Sequence, residues 1–454
     1  RSACEALREL TRQHPACDIR AVAVSNQRET FAALGENGEA LRPGIVWLDQ
    51  RWKGEGEGLT SRVGAERIHQ ISGKPPDMAP VAYRIAWMRR NEPELFRRTA
   101  KFCDVHGYLV WRLTGAFRTS WASADPLGLF DLEAKRWSPE ILEALGIGNE
   151  QLPEAMAPGT VLGEVTAEAA AETGLAAGTP VVAGGGDGQA SGLGVGALTS
   201  ERAYLNLGTA AVGGLYTTQY GIDQAWRTMG SCSGEGYYCE TSLRAGTFLV
   251  DWFVREVCGV VPEEDSGIYQ RLEEEAEASP VGSRGLLLMP YWGAVMTPYW
   301  DQRARGVWAG FTAAHNRGDM YRALLEGVAL EQALVTTMIE ERAGLSVREF
   351  ITIGGGAASG LWRRIMADVT GKTVRRSQTV EASSLGVGNC AAVAAGWFAG
   401  MSEASEAMSG AIVSEIEPDL GRAARYGELL AIYRELYPRT RGICQRLSRF
   451  AEIC

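Results

Sequence analysis

Apolar and polar positions along this chain alternate between a helical period and short unbroken runs, so helices and strands follow one another throughout. Residues 3–13 carry apolar side chains at helical spacing, and 19–25 form a short apolar run that predicts a buried strand. The segment 25–47, SNQRETFAALGENGEALRPGIVW, predicts strand, turn and strand about Gly35-Glu36-Asn37-Gly38. Helices are predicted over 51–60, 80–91 and 104–114, with a boundary at Asn91-Glu92-Pro93 and a stop at Gly115. Ser138-Pro139 opens another helix, Leu142 and Leu145 supply its apolar face, and Gly146 ends it. A capped helix over 166–174 follows. Then Val181, Val182 and Ala183 form a buried strand that breaks at Gly184, Gly185 and Gly186. Small residues continue to Gly196 as a tightly packed helix, and a second strand and turn occupy 204–209.

Beyond Leu198 the pattern restarts. Residues 244–257 are apolar at helical spacing, 263–280 predict an acidic, solvated helix, and 286–301 an irregular stretch walling a cleft. A long helix with one apolar face is predicted over 319–344. The strand 350–353 ends in Gly354-Gly355-Gly356, a helix covers 359–370, and a strand covers 373–376. Helices over 383–399 and 420–448 close the chain. Strands alternating with helices in both halves predict an α/β protein. At 454 residues the chain exceeds one core, so two domains are expected, 1–197 and 198–454.

Composition narrows the class. The net charge is −10 with no basic block, which argues against nucleic acid and anionic membranes as partners. Nine scattered cysteines and four isolated histidines build no zinc spacing, and reduced thiols fit a cytoplasmic location. No apolar run approaches membrane-spanning length.

Candidate chemistry centres on 181–209. Asp187, at the carboxyl end of a strand and at the junction of the halves, stands where α/β sheets bind ligands. It is a candidate proton acceptor, and a helix cap is the alternative. Gly208 and Thr209 can approach phosphate oxygens closely. Gly354, Gly355 and Gly356 form a second glycine turn before a helix, where a flat ligand or an anion is favoured. The spacing is not GxGxxG, and no GxxxxGK[ST] loop occurs, so a dinucleotide fold is weakly supported and a P-loop is not. Arg28 and Glu29 could offer donors and an acceptor to vicinal hydroxyls, or form a surface ion pair. Trp47 and Trp121 could floor a sugar site, or sit in the core.

Several blocks together are similar to the FGGY carbohydrate kinases, over essentially the whole chain. The most specific is 306–327, GVWAGFTAAHNRGDMYRALLEG, in which Phe311 and Leu324 depart from the usual classes. TPYWDQRARG (297–306), VVAGGGDGQASGLGVG (181–196), LNLGT (205–209) and GGGAASGLWRRIMADVTGKTV (354–374) also resemble family blocks. A looser match lies near Met78 to Trp87, with Arg84 where a Lys is usual. The resemblance implies two actin-like domains with ribonuclease H-like cores and a cleft between them, and an ATP- and Mg²⁺-dependent transfer of phosphate to a small sugar or polyol. By position, Asp187 resembles the catalytic base, which also touches the substrate. Gly208 and Thr209 resemble the second phosphate loop, and Gly354, Gly355, Gly356 and Ala357 the adenosine turn. A homodimer is left open.

Two departures shape the expectations. The family begins with a strand and turn bearing DxGT, which does not occur before residue 19; a fragment of a longer chain is the expectation. Second, the substrate signals are mixed. Asn26-Gln27-Arg28-Glu29-Thr30 resembles glycerol kinases, with Trp47 and Trp121 near their aromatic positions, whereas Trp47-Leu48-Asp49-Gln50-Arg51 resembles xylulokinases. Gly188 follows Asp187 where glycerol kinases have Gln and xylulokinases Asn. A ketopentose is slightly favoured over glycerol or a short polyol. A non-catalytic sugar and nucleotide sensor is the alternative, and a nicotinamide-dependent dehydrogenase rests on the glycine turns alone.

Overall fold

Two sheets of unequal size organise the molecule, seen in a computed structural model that describes residues 2–15, 18–49, 55–76 and 80–451, with side chains from residue 58 in the helix Glu55–Val63. The smaller sheet has three strands in the order Val22–Asn26, Pro180–Gly186, Val161–Glu164. Its first pair is parallel, with Val22 opposite Val181 and Asn26 opposite Gly186, and its second is antiparallel. The parallel pairing brings residue 26 level with residue 186, so the segments that follow both strands leave the sheet at the same end.

The larger sheet has seven strands. In spatial order they are Arg227–Gly230, Tyr237–Leu243, Ala211–Thr217, Arg202–Leu207, Glu349–Ile353, Thr373–Ser377 and Ile412–Ile416. The central strand Arg202–Leu207 runs parallel to Glu349–Ile353, with Asn206 opposite Ile353. Both glycine turns, at 208 and 354, therefore lie just beyond one edge of this sheet.

Each half has its own core. Phe31, Ile85, Phe130 and Trp137 anchor the first, and Leu205, Leu288, Leu325 and Phe350 the second. The helix expected over 319–344 runs Arg317–Ala343, started two residues earlier by an Asn316–Asp319 capping box. It is buried around most of its circumference from Gly318 to Thr336 rather than on one face, because it passes between the sheet and the terminal helix Leu420–Ala451. Three tyrosines of that terminal helix reach inward. Tyr426, Tyr433 and Tyr437 donate to Glu326, Glu331 and Asp301 at 2.7, 2.5 and 2.6 Å.

Other expectations shift for identifiable reasons. The acidic segment 263–280 holds the helix Ile268–Glu277, and Ile268, Leu272 and Ala276 pack it into the core instead of leaving it solvated all round. The turn at 35–38 is present, with Gly38 at φ 77°, but its return arm makes only isolated bridges. Phe31–Leu34 pairs with Lys101–Asp104 instead. The helix expected at 244–257 is Thr247–Trp252 followed by a wide turn, Phe253–Val257. Residues 51–54, which open the helix expected over 51–60, lie outside the described residues, as do Arg51 and Met78.

The halves meet at several places among the described residues. The helix Asp187–Gly194 crosses Ala382–Ala394 at backbone contact: a Cβ on Gly386 would stand 1.8 Å from the Ala190 carbonyl oxygen. At the far edge, Thr228 N–H donates to Gly73 O at 2.8 Å and Gly230 N–H to Asp125 Oδ2 at 2.8 Å. Lys74 pairs with Asp125 there and donates to Thr228 O at 2.8 Å, with both charged groups buried.

Candidate active site

Asp187 stands where the strand Pro180–Gly186 turns into the helix Asp187–Gly194. The strand is held from behind. Gly184 N–H donates to His106 Nε2 at 3.1 Å, and Gly184 O accepts from Ser120 Oγ at 2.5 Å. Burial pushes the His106 imidazole down to about 3, which keeps Nε2 an acceptor. With the backbone so fixed, the Asp187 side chain projects outward and is 57% exposed. Arg28 Nε approaches its Oδ1 at 3.0 Å.

Two cavities adjoin this carboxylate. One, of about 250 Å³, is lined by Gln27, Arg28, Glu29 and Trp47 from the smaller half and by Gly208, Thr209, Arg227, Arg244 and Met296 from the larger. The second, of about 230 Å³, runs toward Gly354 and the start of the helix Ala382–Ala394. Asp187, Arg28, Asn206 and Val212 line both. A further cavity, of about 430 Å³, lies under the helix Ser2–Gln13. Its wall is mainly small and apolar side chains such as Ala3, Leu7, Val22 and Val24, with Ser25, Arg112, Glu172 and Thr173 as its polar members.

Glu29 begins the turn after the first strand with φ 51°, a left-handed conformation unusual for a residue with a side chain. Its surroundings hold it there. Arg84 Nη1 donates to Glu29 O at 3.0 Å, and Arg227 Nη1 reaches Glu29 Oε1 at 2.8 Å. The same Arg84 donates through Nη2 to Trp47 O at 2.7 Å, so this buried guanidinium sets the floor on which Glu29 and Trp47 rest. Trp47 itself is 47% exposed and faces the first cavity.

The structure thus brings together Asp187, Arg28, Glu29, Trp47, Gly208 and Thr209. Gly354 joins them across the second cavity, with φ 84°. Gly355, Gly356 and Ala357 form the tight turn behind it, Gly356 and Ala357 being buried, and are not among the residues lining either cavity. Trp121 is not among them either. Its indole Nε1 donates to Ala155 O at 3.1 Å and it packs on the first core, with the Lys135 ammonium 5.9 Å from its ring.

Three residues of this site went unnoticed in the sequence. Arg227 on the edge strand of the large sheet and Glu240 on the strand beside it pair with Glu29 and Arg28, 198 and 212 positions away. No local pattern could have announced them. Asn206 precedes the glycine turn by two residues, and its carboxamide oxygen is buried without a hydrogen-bond partner. It lies 2.4 Å from where a Gly354 Cβ would stand and 3.1 Å from that of Gly208, so it fills the gap between the two glycine turns. A polar residue inside LNLGT was the available signal.

Among the described residues no cluster of three or more His, Cys, Asp or Glu could cage a metal ion unaided, and no helix is long and apolar enough to cross a membrane.

Comparison with known proteins agrees with this architecture. Residues 1–194 match the N-terminal domain of the FGGY family of carbohydrate kinases, and residues 203–395 match its C-terminal domain. A xylulose kinase of Bacillus subtilis (strain 168) is 28% identical over 446 residues, covering 95% of this chain and 85% of the relative. The crystal structure of a ligand-bound xylulose kinase from Lactobacillus acidophilus superposes with a TM-score of 0.88 at 25% identity, over 96% of this chain and 87% of that one. A gluconate kinase from Lactobacillus acidophilus gives a TM-score of 0.89 at 25% identity, over the same shares of 96% and 87%. Two sheets joined through a cleft, a carboxylate at the strand end between them and two family domains matched in order make this chain a member of the FGGY family of carbohydrate kinases, with the actin-like fold that family shares.

Proposed function

We propose that this kinase transfers the γ-phosphoryl group of ATP to a terminal hydroxyl of a small uncharged ketose, with a ketopentose such as xylulose favoured over glycerol or a short polyol. The observation that carries the reading is that the Asp187 carboxylate opens on both cavities at once. A sugar in the first cavity and a nucleotide entering from the second would meet there.

Within that reading each side chain has a task. Glu29 and Arg28 bind sugar hydroxyls, and Trp47 offers an apolar face to the carbon chain. Asp187 accepts the hydroxyl proton as the oxygen attacks the γ-phosphorus and the bond to the ADP oxygen breaks, which leaves the phosphate ester and a protonated carboxyl. The backbone N–H groups at Gly208 and Thr209 face the transferring phosphate, while Gly354 with the turn Gly355, Gly356 and Ala357 receives the adenosine. Magnesium bound with ATP would neutralise phosphate charge. An exposed carboxylate at 187 and the unpartnered carboxamide oxygen of Asn206 suit a hydrated ion held mainly by phosphates. The preference for an uncharged substrate rests on balance: three arginines, Arg28, Arg227 and Arg244, stand with three carboxylates, Asp187, Glu29 and Glu240, in and behind the wall. A division of labour at 197/198 and a cytoplasmic location belong to the same proposal, the latter supported by seven free thiols among the described cysteines.

The test is ADP release over a panel of ketopentoses, tetritols, glycerol and gluconate. Turnover on a ketopentose, reduced about 10²- to 10⁴-fold in Asp187→Asn, is expected. Full turnover in Asp187→Asn removes the mechanism, preference for gluconate removes the substrate assignment, and calorimetric sugar binding without turnover on any member favours a sensor.

A further inference from the structure

Glu240 lies fully buried in the strand Tyr237–Leu243, behind the wall of the sugar cavity rather than in it. Its two carboxylate oxygens serve two arginines. Oε2 receives Arg28 Nη1 at 2.6 Å and the Tyr204 hydroxyl at 3.2 Å, and Oε1 receives Arg227 Nε at 2.6 Å. Each arginine then passes to the cleft. Arg28 reaches Asp187 Oδ1 at 3.0 Å, and Arg227 reaches Glu29 Oε1 at 2.8 Å. One buried carboxylate of the large sheet therefore fixes the two groups that meet the acidic residues of the smaller half.

The glycines of the turn are fitted to this arrangement. A Cβ on Gly186 would stand 2.6 Å from Arg28 Cγ and Cδ. A Cβ on Gly188 would stand 2.9 Å from Glu240 Oε2 and 3.0 Å from Arg28 Nη2. The arginine lies across the turn and fills the space a side chain at 186 or 188 would need. Glu240 is its buried ion-pair partner, whereas Asp187, the other carboxylate in ion-pair contact with it, is exposed.

We propose that Glu240 is a positioning residue for phosphoryl transfer: by holding Arg28 across Gly186 and Gly188 and Arg227 against Glu29, it aims the acceptor carboxylate and the sugar-binding carboxylate into the same cavity. The inference rests on the reading of Asp187 as base and the first cavity as the sugar site. Burial alone would raise the Glu240 carboxyl, but the Arg227 and Arg28 guanidiniums outweigh it and hold it at about 2, so the anchor is charged at every working pH. A misplacement of about 1 Å at such a site costs up to about a hundredfold in rate.

The experiment compares wild type, Glu240→Gln, Gly188→Ala and Asp187→Asn as full-length chains, with thermal melting to establish folding. Glu240→Gln keeps the shape and removes the charge. Gly188→Ala keeps the charge and pushes Arg28 aside. Both are expected to lower kcat by about tenfold to a hundredfold and raise the sugar KM severalfold, with the KM for Mg-ATP unchanged in Glu240→Gln, since Glu240 lines neither cavity whereas Gly188 lines the second. A purely structural role would leave kcat and both KM values of the folded fraction near wild type. The inference is overturned if folded Glu240→Gln keeps kcat and the sugar KM within about twofold. If Glu240→Gln does not fold, the same criterion applied to Gly188→Ala decides. Wild-type turnover in Asp187→Asn would instead overturn the reading of the site itself.

Discussion

A single imidazole behind the active carboxylate illustrates how the site is held at the residue scale. His106 accepts from Gly184 N–H through Nε2, and its Nδ1 lies 3.3 Å from Thr119 Oγ1. Burial lowers its titration from 6.5 to about 3. A base depressed on folding contributes stability that is complete above about pH 6.5 and lost as pH falls toward 3. Its neighbour Asp104 runs the other way: burial raises that carboxyl to about 6, so its contribution is complete below about 3.8 and lost as pH rises through 6. Thr119 Oγ1 donates to Asp104 at 3.1 Å and links the two. The difference between wild type and His106→Gln isolates the imidazole. The wild type should lose on the order of 3 kcal/mol more than the variant between pH 7 and pH 4, read from urea unfolding at each pH. Parallel pH profiles would remove this role of His106.

Much of this residue-level detail was legible only in part. Asp187 was picked out because an apolar run, three glycines and a carboxylate are contiguous, and local sequence carries that information. Arg227 and Glu240 were not, because their meaning lies in partners about two hundred positions away. Trp121 was singled out as an aromatic near the site, but its indole N–H turns to a backbone carbonyl of its own half. Aromatic character marks a surface that wants cover and does not say which cover it finds.

At the scale of elements, the pair of small-residue helices Asp187–Gly194 and Ala382–Ala394 carries the base on one side and a wall of the second cavity on the other. Gly194 faces Ala382 O at 2.1 Å from its would-be Cβ, and Gly386 faces Ala190 O at 1.8 Å. Backbone cannot yield as a side chain can, so Gly386→Ala must separate the helices. It should cost about 1–3 kcal/mol in urea unfolding and weaken ADP binding in calorimetry, since residues 380–383 line the second cavity. Unchanged ADP affinity at that loss of stability would show that the helix spacing does not reach the nucleotide. The two helices were predictable from runs of Gly, Ala and Ser, though their mutual contact was not. The edge strand Ile412–Ile416 escaped notice because Ile412 and Val413 are exposed, which blurs the alternation a buried strand would show.

At the scale of the whole molecule, the two halves are joined by the helix crossing, by the Arg28–Glu240 and Arg227–Glu29 pairs, and by a weld at the far edge. At the weld, Lys74 and Asp125 are buried together, and burial drives the Lys74 ammonium well below its ordinary range against the pull of nearby carboxylates. Removing one member of a buried pair leaves the other uncompensated and costs about 3–5 kcal/mol. Lys74→Met should therefore lower the melting temperature and split a single calorimetric transition into two, one for each core. A lowered but still single transition would mean that the helix crossing and the Arg28–Glu240 and Arg227–Glu29 pairs suffice to couple the halves. Alternation of strands and helices in both halves was enough to foresee two α/β units. The weld was hidden, since Gly73, Lys74, Asp125 and Thr228 come from loops and an edge strand with no shared pattern.

Gly188 lines the second cavity, but its close approach to Arg28, which lines both, ties it to any attempt to retune this enzyme toward other sugars. A pocket whose neighbouring wall position is already filled by a residue anchored in the opposite half has no free slot for a new specificity side chain. Redesign confined to that position would collide before it discriminated. New sugar selectivity has to come from exchanging the arginine, its anchor and the glycine as one set.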